Sequence, residues 1–341
     1  MSDSRDIWVF AEQAHGKIAE VAFELLGKGL ELKAQRGDGC RLCAVLLGSG
    51  LTGDMSAALS AAGADVVYAV DDPKLADYEA NVYVDAVAKL AERHRPEVIL
   101  AGATAVGRAF FARVAVRLRT GLTADCTALK IEETRNRATG VSQMLLHQTR
   151  PAFGGNIMAT IMTPDNRPQM ATVRPKVFRR GNREQGIGNR DGGVVVREVL
   201  DLIAPKTRLV RVDHDPDAVD IAAAPVLVAG GRGLKNALNF VKLFELAGLL
   251  GGEVAASRAA VDAGWVPQFR QVGQTGKAVA PKLYLCFGIS GAIQHLEGIR
   301  GADRIIAVNS DPNAPIFGVA DLGIVGDAME IVDALIKELK G

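Results

Sequence analysis

The chain has 341 residues, with 40 basic and 39 acidic side chains and a formal net charge of +1. That length exceeds one typical core and predicts two domains, and the charge balance leaves no field to draw in nucleic acid or a membrane surface. Hydrophobic residues make up 48% and aromatics 5%, which is enough to fill cores and excludes disorder, but supplies few rings for base stacking.

Residues 1–6 carry acids ahead of a strand, so no secretory leader is expected, and no apolar run reaches membrane-spanning length. Asp6 to Ala11 predicts a strand, and Gly16 to Leu30 a helix whose Ile18, Val21, Ala22, Leu25 and Leu26 repeat at the helical period. Cys40 and Cys43 form a lone Cys-x-x-Cys; without a second pair it lacks the four ligands of a structural zinc site, so both read as buried thiols. Four cysteines in all fit a reducing compartment, and the protein is expected to be cytoplasmic. Strands at Leu42 to Leu47, Asp65 to Val70 and Glu97 to Ala101 alternate with helices at Asp54 to Ala62, Tyr78 to His94 and Gly107 to Leu118, the pattern of a parallel sheet covered on both faces. Gly102 to Arg108, between strand and helix, reads as a helix start carrying its own cap, with an anion site as the alternative.

After Gly121 the pattern changes. Thr127 to Ile131, Ser142 to Gln148, Ile157 to Thr163 and Met170 to Arg174 read as short antiparallel additions. Arg174, Lys176, Arg179, Arg180 and Arg183 form the most basic run, read as a solvated loop, with a partner-facing patch as the functional alternative. Leu209 to Val212 is expected to be the last strand of this half, and the polar, proline-containing stretch Asp213 to Asp217 a domain junction. The expected domains are therefore residues 1–213 and 214–341.

The second half has six short, largely apolar runs: Val226 to Ala229, Glu253 to Ala256, Phe269 to Val272, Leu283 to Phe287, Arg304 to Val308 and Leu322 to Val325. Most pass directly into Gly, Ser or Asn. Ligands of open α/β sheets bind beyond the carboxyl ends of the strands, and Gly288-Ile289-Ser290-Gly291 after an apolar strand suits a turn whose free N–H groups attract phosphate. A Walker loop is excluded, because Gln271 and Ala278 stand where it needs Gly and Ser or Thr. The dinucleotide fingerprint is excluded at Gly231 to Asn236, where Asn replaces its last Gly. Lys277 lacks the Walker context and is left outside the site. Asp311 to Pro315, with two prolines, reads as a stiff loop.

The strings VAGGRGL (228–234), ASRAAVDAGW (256–265), VGQTGKAVAP (272–281), GISGAIQH (288–295) and AVNSDPNAPIFGVADLGIVGD (307–327) occur in order. Together they resemble the α subunit of electron transfer flavoproteins, a likeness that reaches back through the N-terminal half. Residues 150–156 and 167–174 are similar to the form found in anaerobes, which includes electron-bifurcating members. The implied fold is α/β: an N-terminal three-layer α/β/α domain with antiparallel additions that contacts a β subunit, and a C-terminal parallel-sheet domain that binds FAD.

The resemblance also implies roles. Arg232 would lie against the flavin end, with Ser257 and Arg258 on the next strand tip and the Arg258 guanidinium over the ring. A fixed cation ~4 Å from a reduced, negatively charged flavin is worth about 4 kcal/mol at an effective dielectric of ~20, and arginine stays charged in a partly dry cleft. Val272, Gly273, Gln274 and Thr275 would line the ring, the Thr275 hydroxyl bonding N5 in either redox state. His295 would bond O2. Gly288 and Ser290, Gly291, Ala292, Ile293 and Gln294 would cradle the pyrophosphate, and Asn309 and Asp327 would hold the AMP portion. The implied activity is electron shuttling between dehydrogenases, such as an acyl-CoA dehydrogenase, and an acceptor such as a quinone reductase. In a bifurcating version the β subunit would bind a second FAD and NADH. The alternative from another class is a non-redox dinucleotide-binding regulatory module, which has no need of groups aimed at a redox ring. No nucleic-acid partner and no membrane insertion are expected.

Overall fold

The computed structural model describes residues 4–37, 39–135, 140–152, 157–181, 193–212 and 219–341. The chain divides into two compact units, Met1–Val212 and Asp213–Gly341; the polar stretch 213–217 lies outside the described residues.

In the first unit, β1 (Ile7–Phe10) leads to a two-residue hairpin, β2 (Gln13–Ala14) and β3 (Lys17–Ile18), and then α1 (Glu20–Arg36). The helix therefore begins later than the periodicity predicts. His15 and Gly16, both with positive φ (51° and 78°), turn the chain as a hairpin corner requires. There follow β4 (Leu42–Gly48), α2 (Gly53–Ala61), β5 (Val66–Asp71), α3 (Ala80–His94), β6 (Val98–Gly102), α4 (Ala105–Arg117) and β7 (Leu122–Cys126). Next come β8 (Ala128–Arg135), β9 (Ser142–Pro151), β10 (Met158–Ile161), β11 (Gln169–Val173) and β12 (Val194–Arg197).

Seven of these strands form one parallel sheet in the order β12-β5-β4-β1-β6-β11-β7, and β10-β9-β8 form a separate antiparallel sheet. Two apolar clusters fill the two faces of the parallel sheet. One centres on Val9, Leu25, Leu46 and Leu100, the other on Trp8, Phe10, Val87 and Phe110.

Two strand expectations are corrected. Residues 170–173 are not an antiparallel addition; they lie inside the parallel sheet between β6 and β7. All five residues of β11 are buried, and the polar ones are paired: Leu146 N donates to Gln169 Oε1 and Asp125 N to Thr172 Oγ1. Those buried side chains disguise an interior strand as a half-exposed one. Residues 209–212 form no strand, and the last strand of the unit is β12, paired with β5. β7 is a strand for which the sequence raised no expectation.

Two members of the basic run, Arg174 and Arg180, are paired. Arg174 grips Asp125 through Nε (3.2 Å) and Nη2 (2.8 Å), and Arg180 pairs with Glu20 and lies over the Phe23 ring. Arg183 lies outside the described residues. Burial opposes charge on Asp125, but the Arg174 and Arg108 guanidiniums hold its carboxyl below the usual range. Cys40, Cys43, Cys126 and Cys286 are free and buried.

The second unit contains β13 (Val226–Gly230), α5 (Asn239–Leu249), β14 (Glu253–Ser257), α6 (Arg258–Asp262), β15 (Gln271–Val272), β16 (Leu283–Phe287), α7 (Ile293–Leu296), β17 (Ile305–Asn309), β18 (Leu322–Val325) and α8 (Ala328–Lys340). Its six strands are all parallel, in the order β15-β14-β13-β16-β17-β18. Counted within the unit this is 3-2-1-4-5-6, the doubly wound order of dinucleotide-binding sheets, with its switch point between the first and fourth strands. Apolar side chains of α5 and α8 cover one face (Phe240, Leu243, Val332, Ile336), and Ile289, Ile299 and Ile316 help cover the other. Among the described residues no helix is long and apolar enough to cross a membrane.

The start of α4 is the tightest turn of the first sheet. Thr104 caps it by accepting from Gly107 N (2.9 Å), and a Cβ on Gly107 would fall 1.9 Å from Gly102 O. Gly107→Ala should therefore cost about 2–3 kcal/mol, read as a lower urea midpoint with an unchanged m-value; an unshifted midpoint would contradict the contact.

Candidate cofactor site

Because every strand of the second sheet runs the same way, the residues that follow the strands emerge at one edge. Register places them side by side: Ser257 opposite Val272, Gly230 between Ala256 and Phe287, Phe287 beside Val308 and Asn309 beside Val325. Arg232, Ser257, Arg258, Val272 to Thr275, Gly288 to His295, Asn309 and Asp327 thus follow or end strands along this edge.

Four of the tips are locked together by main chain. At the switch point Gly231 N donates to Phe287 O (2.9 Å) and Gly233 N to Gly288 O (3.0 Å). A Cβ on Gly231 would sit 2.2 Å from Gly288 O, and Gly288 itself has φ +62°, so neither position admits a side chain without displacement. Gln274 N donates to Gln294 O (2.7 Å), seating the loop after β15 on α7. Ile316 N donates to Ser290 O (3.1 Å), and Asn309 Nδ2 to Ile289 O (2.9 Å). Asp311 N and Asn313 N close the turn after β17 on Asn309 Oδ1 and Asp311 Oδ1.

The chemistry offered at this edge suits a phosphate-bearing ligand. None of the N–H groups of Ser290, Gly291, Ala292, Ile293 and Gln294 meets an acceptor among the described residues. A run of unpaired main-chain donors beyond a parallel strand fits the pyrophosphate of FAD. Arg232 is exposed at the neighbouring tip. The Thr275 hydroxyl accepts from Gln271 Nε2 (3.0 Å) and keeps its own proton to donate.

Other residues are committed elsewhere. Arg258 is 65% exposed at its side chain and pairs with Asp262 at 3.3 Å, so solvent and a counter-charge screen it and its worth falls below the figure of about 4 kcal/mol. Asp327 caps α8, accepting from Met329 N (2.8 Å) and Glu330 N (3.4 Å). Those N–H groups, with Lys235 at 3.2 Å, hold its carboxyl below the usual range. Lys277 donates to Asp220 Oδ1 (3.1 Å) and Val219 O (3.3 Å).

His295 is unlike the rest of the set, being only 6% exposed. Its Nε2 meets the Tyr284 hydroxyl at 2.9 Å, and burial pushes its pKa down to about 4 against the pull of the Val272 carbonyl. The ring is neutral at pH 7. Two neighbours of these residues escape a sequence reading. Lys235 directly follows the Gly-Arg-Gly-Leu string, and that adjacency was its available signal. Tyr284 is hidden inside the apolar run of β16.

A buried neutral histidine links stability to pH. The unfolded chain binds this proton near pH 6.5 and the folded chain only near pH 4, so stability is intact above about pH 6.5 and falls as pH drops toward 4, by about 3 kcal/mol. Urea unfolding at pH 7 and pH 4.5 should show this loss in the natural chain and less of it in His295→Gln. Equal slopes for the two would contradict the burial of the ring.

Comparison with known proteins agrees with both units. Residues 7–202 match the electron transfer flavoprotein domain, and residues 220–300 match the electron transfer flavoprotein FAD-binding domain. An electron transfer flavoprotein subunit alpha of Thermoanaerobacterium thermosaccharolyticum is 47% identical over 342 aligned residues, covering 100% of this chain and 99% of that protein. One from Clostridium acetobutylicum is 48% identical, covering 99% of this chain and 98% of that protein. A protein of Anaerotignum propionicum named acryloyl-CoA reductase electron transfer subunit beta is 42% identical, covering 98% of this chain and 96% of that protein. With its doubly wound second sheet and its row of unpaired main-chain donors, the chain belongs to the electron transfer flavoprotein α-subunit family, and its second unit is an FAD-binding electron-transfer domain.

Proposed function

We propose that this chain holds one FAD along the carboxyl edge of its second sheet and passes electrons through it as one half of a heterodimer with an electron transfer flavoprotein β subunit. The observation that carries this reading is the set of unpaired N–H groups from Ser290 to Gln294, in a sheet of dinucleotide-binding order. Gly288, Ser290, Gly291, Ala292, Ile293 and Gln294 bind the pyrophosphate. Arg232, Ser257, Arg258, Val272, Gly273, Gln274, Thr275 and His295 surround the flavin, and Asn309 and Asp327 serve the AMP end. The flavin supplies the redox chemistry, while the protein sets charge, exposure and docking. Arg258 offers a permanent positive charge, Thr275 a hydroxyl that can donate or accept, and His295 an uncharged imidazole.

Residues 1–213 form the partner-facing domain and 214–341 the cofactor domain. Support for a partner comes from the end of the first unit, where Val199 and Val210 are 89% and 84% exposed and Leu209 and Val212 about half so. A chain that leaves such side chains in water outside any strand suits coverage by another subunit. The redox partners are an acyl-CoA dehydrogenase or a quinone reductase, in the cytoplasm. The finer version is bifurcation, with NADH oxidised at a second FAD in the β subunit. It is supported by the strings at 150–156 and 167–174, of which 153–156 lie outside the described residues, and by the name of the acryloyl-CoA reductase relative.

Purified with its β subunit, the protein should show a flavin absorption spectrum; a colourless complex would end the proposal. One FAD per heterodimer and no reduction by NADH would remove bifurcation and leave a simple carrier, whereas two FAD and direct reduction by NADH would support it. Since Arg258 is screened, Arg258→Gln should lower the one-electron reduction potential by only about 40–90 mV, the equivalent of about 1–2 kcal/mol. Spectroelectrochemistry checks this, and an unchanged potential would place Arg258 outside the flavin site.

A further inference from the structure

The second unit contains a buried polar pair that no motif announces. Tyr284 is fully buried near the start of β16, and its hydroxyl lies 2.9 Å from His295 Nε2. No acceptor or donor meets His295 Nδ1 at hydrogen-bond geometry, although the Val272 carbonyl is near enough to favour a proton on the ring. Burial keeps the imidazole neutral and the phenol protonated, so the pair has two ring hydrogens to place, one on the hydroxyl and one on the imidazole.

Two arrangements satisfy the 2.9 Å contact. If Nε2–H donates to the Tyr284 oxygen, the hydroxyl proton has no other partner in the structure, and Nδ1 turns a bare lone pair toward the neighbourhood of a carbonyl oxygen. That arrangement buries an unsatisfied donor, and two acceptors then face one another. If instead the hydroxyl donates to Nε2, its proton is used, and Nδ1 carries the hydrogen beside the carbonyl. The second arrangement leaves no donor–donor or acceptor–acceptor conflict.

We infer that Tyr284 is a positioning residue for His295: its hydroxyl donates to Nε2 and holds the imidazole in the Nδ1–H tautomer, with Nδ1–H turned to the Val272 carbonyl at the end of β15, so that the ring seats the loop from Gly273 to Thr275. The inference rests on the reading that His295 belongs to the flavin site. Its physical content is that the strand beneath the site fixes which ring nitrogen carries the hydrogen. This explains why a tyrosine is kept in an otherwise apolar run, where its hydroxyl would cost stability without a partner.

The test is long-range proton–nitrogen NMR of the full chain, purified as its complex and labelled with 15N-histidine, with and without FAD at pH 7; His295→Gln assigns the resonance among the five histidines. The natural chain should show His295 as the Nδ1–H tautomer alone. Tyr284→Phe should release Nε2, giving a mixture of tautomers and, because Val272 leads directly into Gly273 to Thr275, FAD dissociation faster by about five- to tenfold. An Nε2–H tautomer in the natural chain overturns the inference without recourse to any variant, and so does Tyr284→Phe with an unchanged tautomer or unchanged FAD release. If the tautomer is as stated but its signals do not move when FAD binds, the Tyr284 link stands and His295 is removed from the flavin site.

Discussion

The second unit depends on main chain meeting main chain at the switch point of its sheet. Gly231 and Gly233, beyond β13, rest on Gly288, beyond β16, closely enough that a single methyl group at Gly231 would strike a carbonyl oxygen. That contact brings two strand tips far apart in sequence into one rigid edge. The loop after β15 is then seated on α7, and the turn after β17 on Ser290 and Ile289. Main chain makes most of these links, and the Asn309 amide adds one from a side chain.

The electrostatics of the edge come from several weak contributors rather than one dominant charge. Arg258 is the permanent cation expected at the flavin, yet its exposure and its Asp262 partner move it from the interior regime toward the aqueous one, where the same charge is worth several-fold less. His295 is buried but uncharged. What remains close to full strength is the set of peptide dipoles from Ser290 to Gln294, which carry no proton to lose and are insensitive to pH.

How much of this was legible from sequence differs by element. The alternation in the first unit and the six apolar runs of the second announced an α/β protein of parallel sheets, because fully buried strands read as unbroken apolar runs. β11 was misjudged because Gln169 and Thr172 sit in the core with their hydrogen bonds satisfied by neighbours, a compensation no local pattern reveals. The exposed apolar run at 209–212 looked like a strand because β-propensity was read without a pairing partner. At the site, the string Gly288-Ile289-Ser290-Gly291 signalled a turn with free donors. The cap that Asp327 places on α8 is local, reaching only two and three residues along the chain, whereas the tie between Tyr284 and His295, 11 positions apart, is a tertiary contact that no local pattern reveals.

A recognition surface assembled from peptide groups has its own evolutionary grammar. Replacing an exposed side chain at Ser290, Ala292, Ile293 or Gln294 leaves each N–H where it was, whereas inserting or deleting one residue between Phe287 and His295 would slide every donor past its neighbour and undo the seating of three other loops. Spacing in this stretch is therefore under far stricter constraint than identity, and drift in such a protein should be written in substitutions, not in changes of loop length.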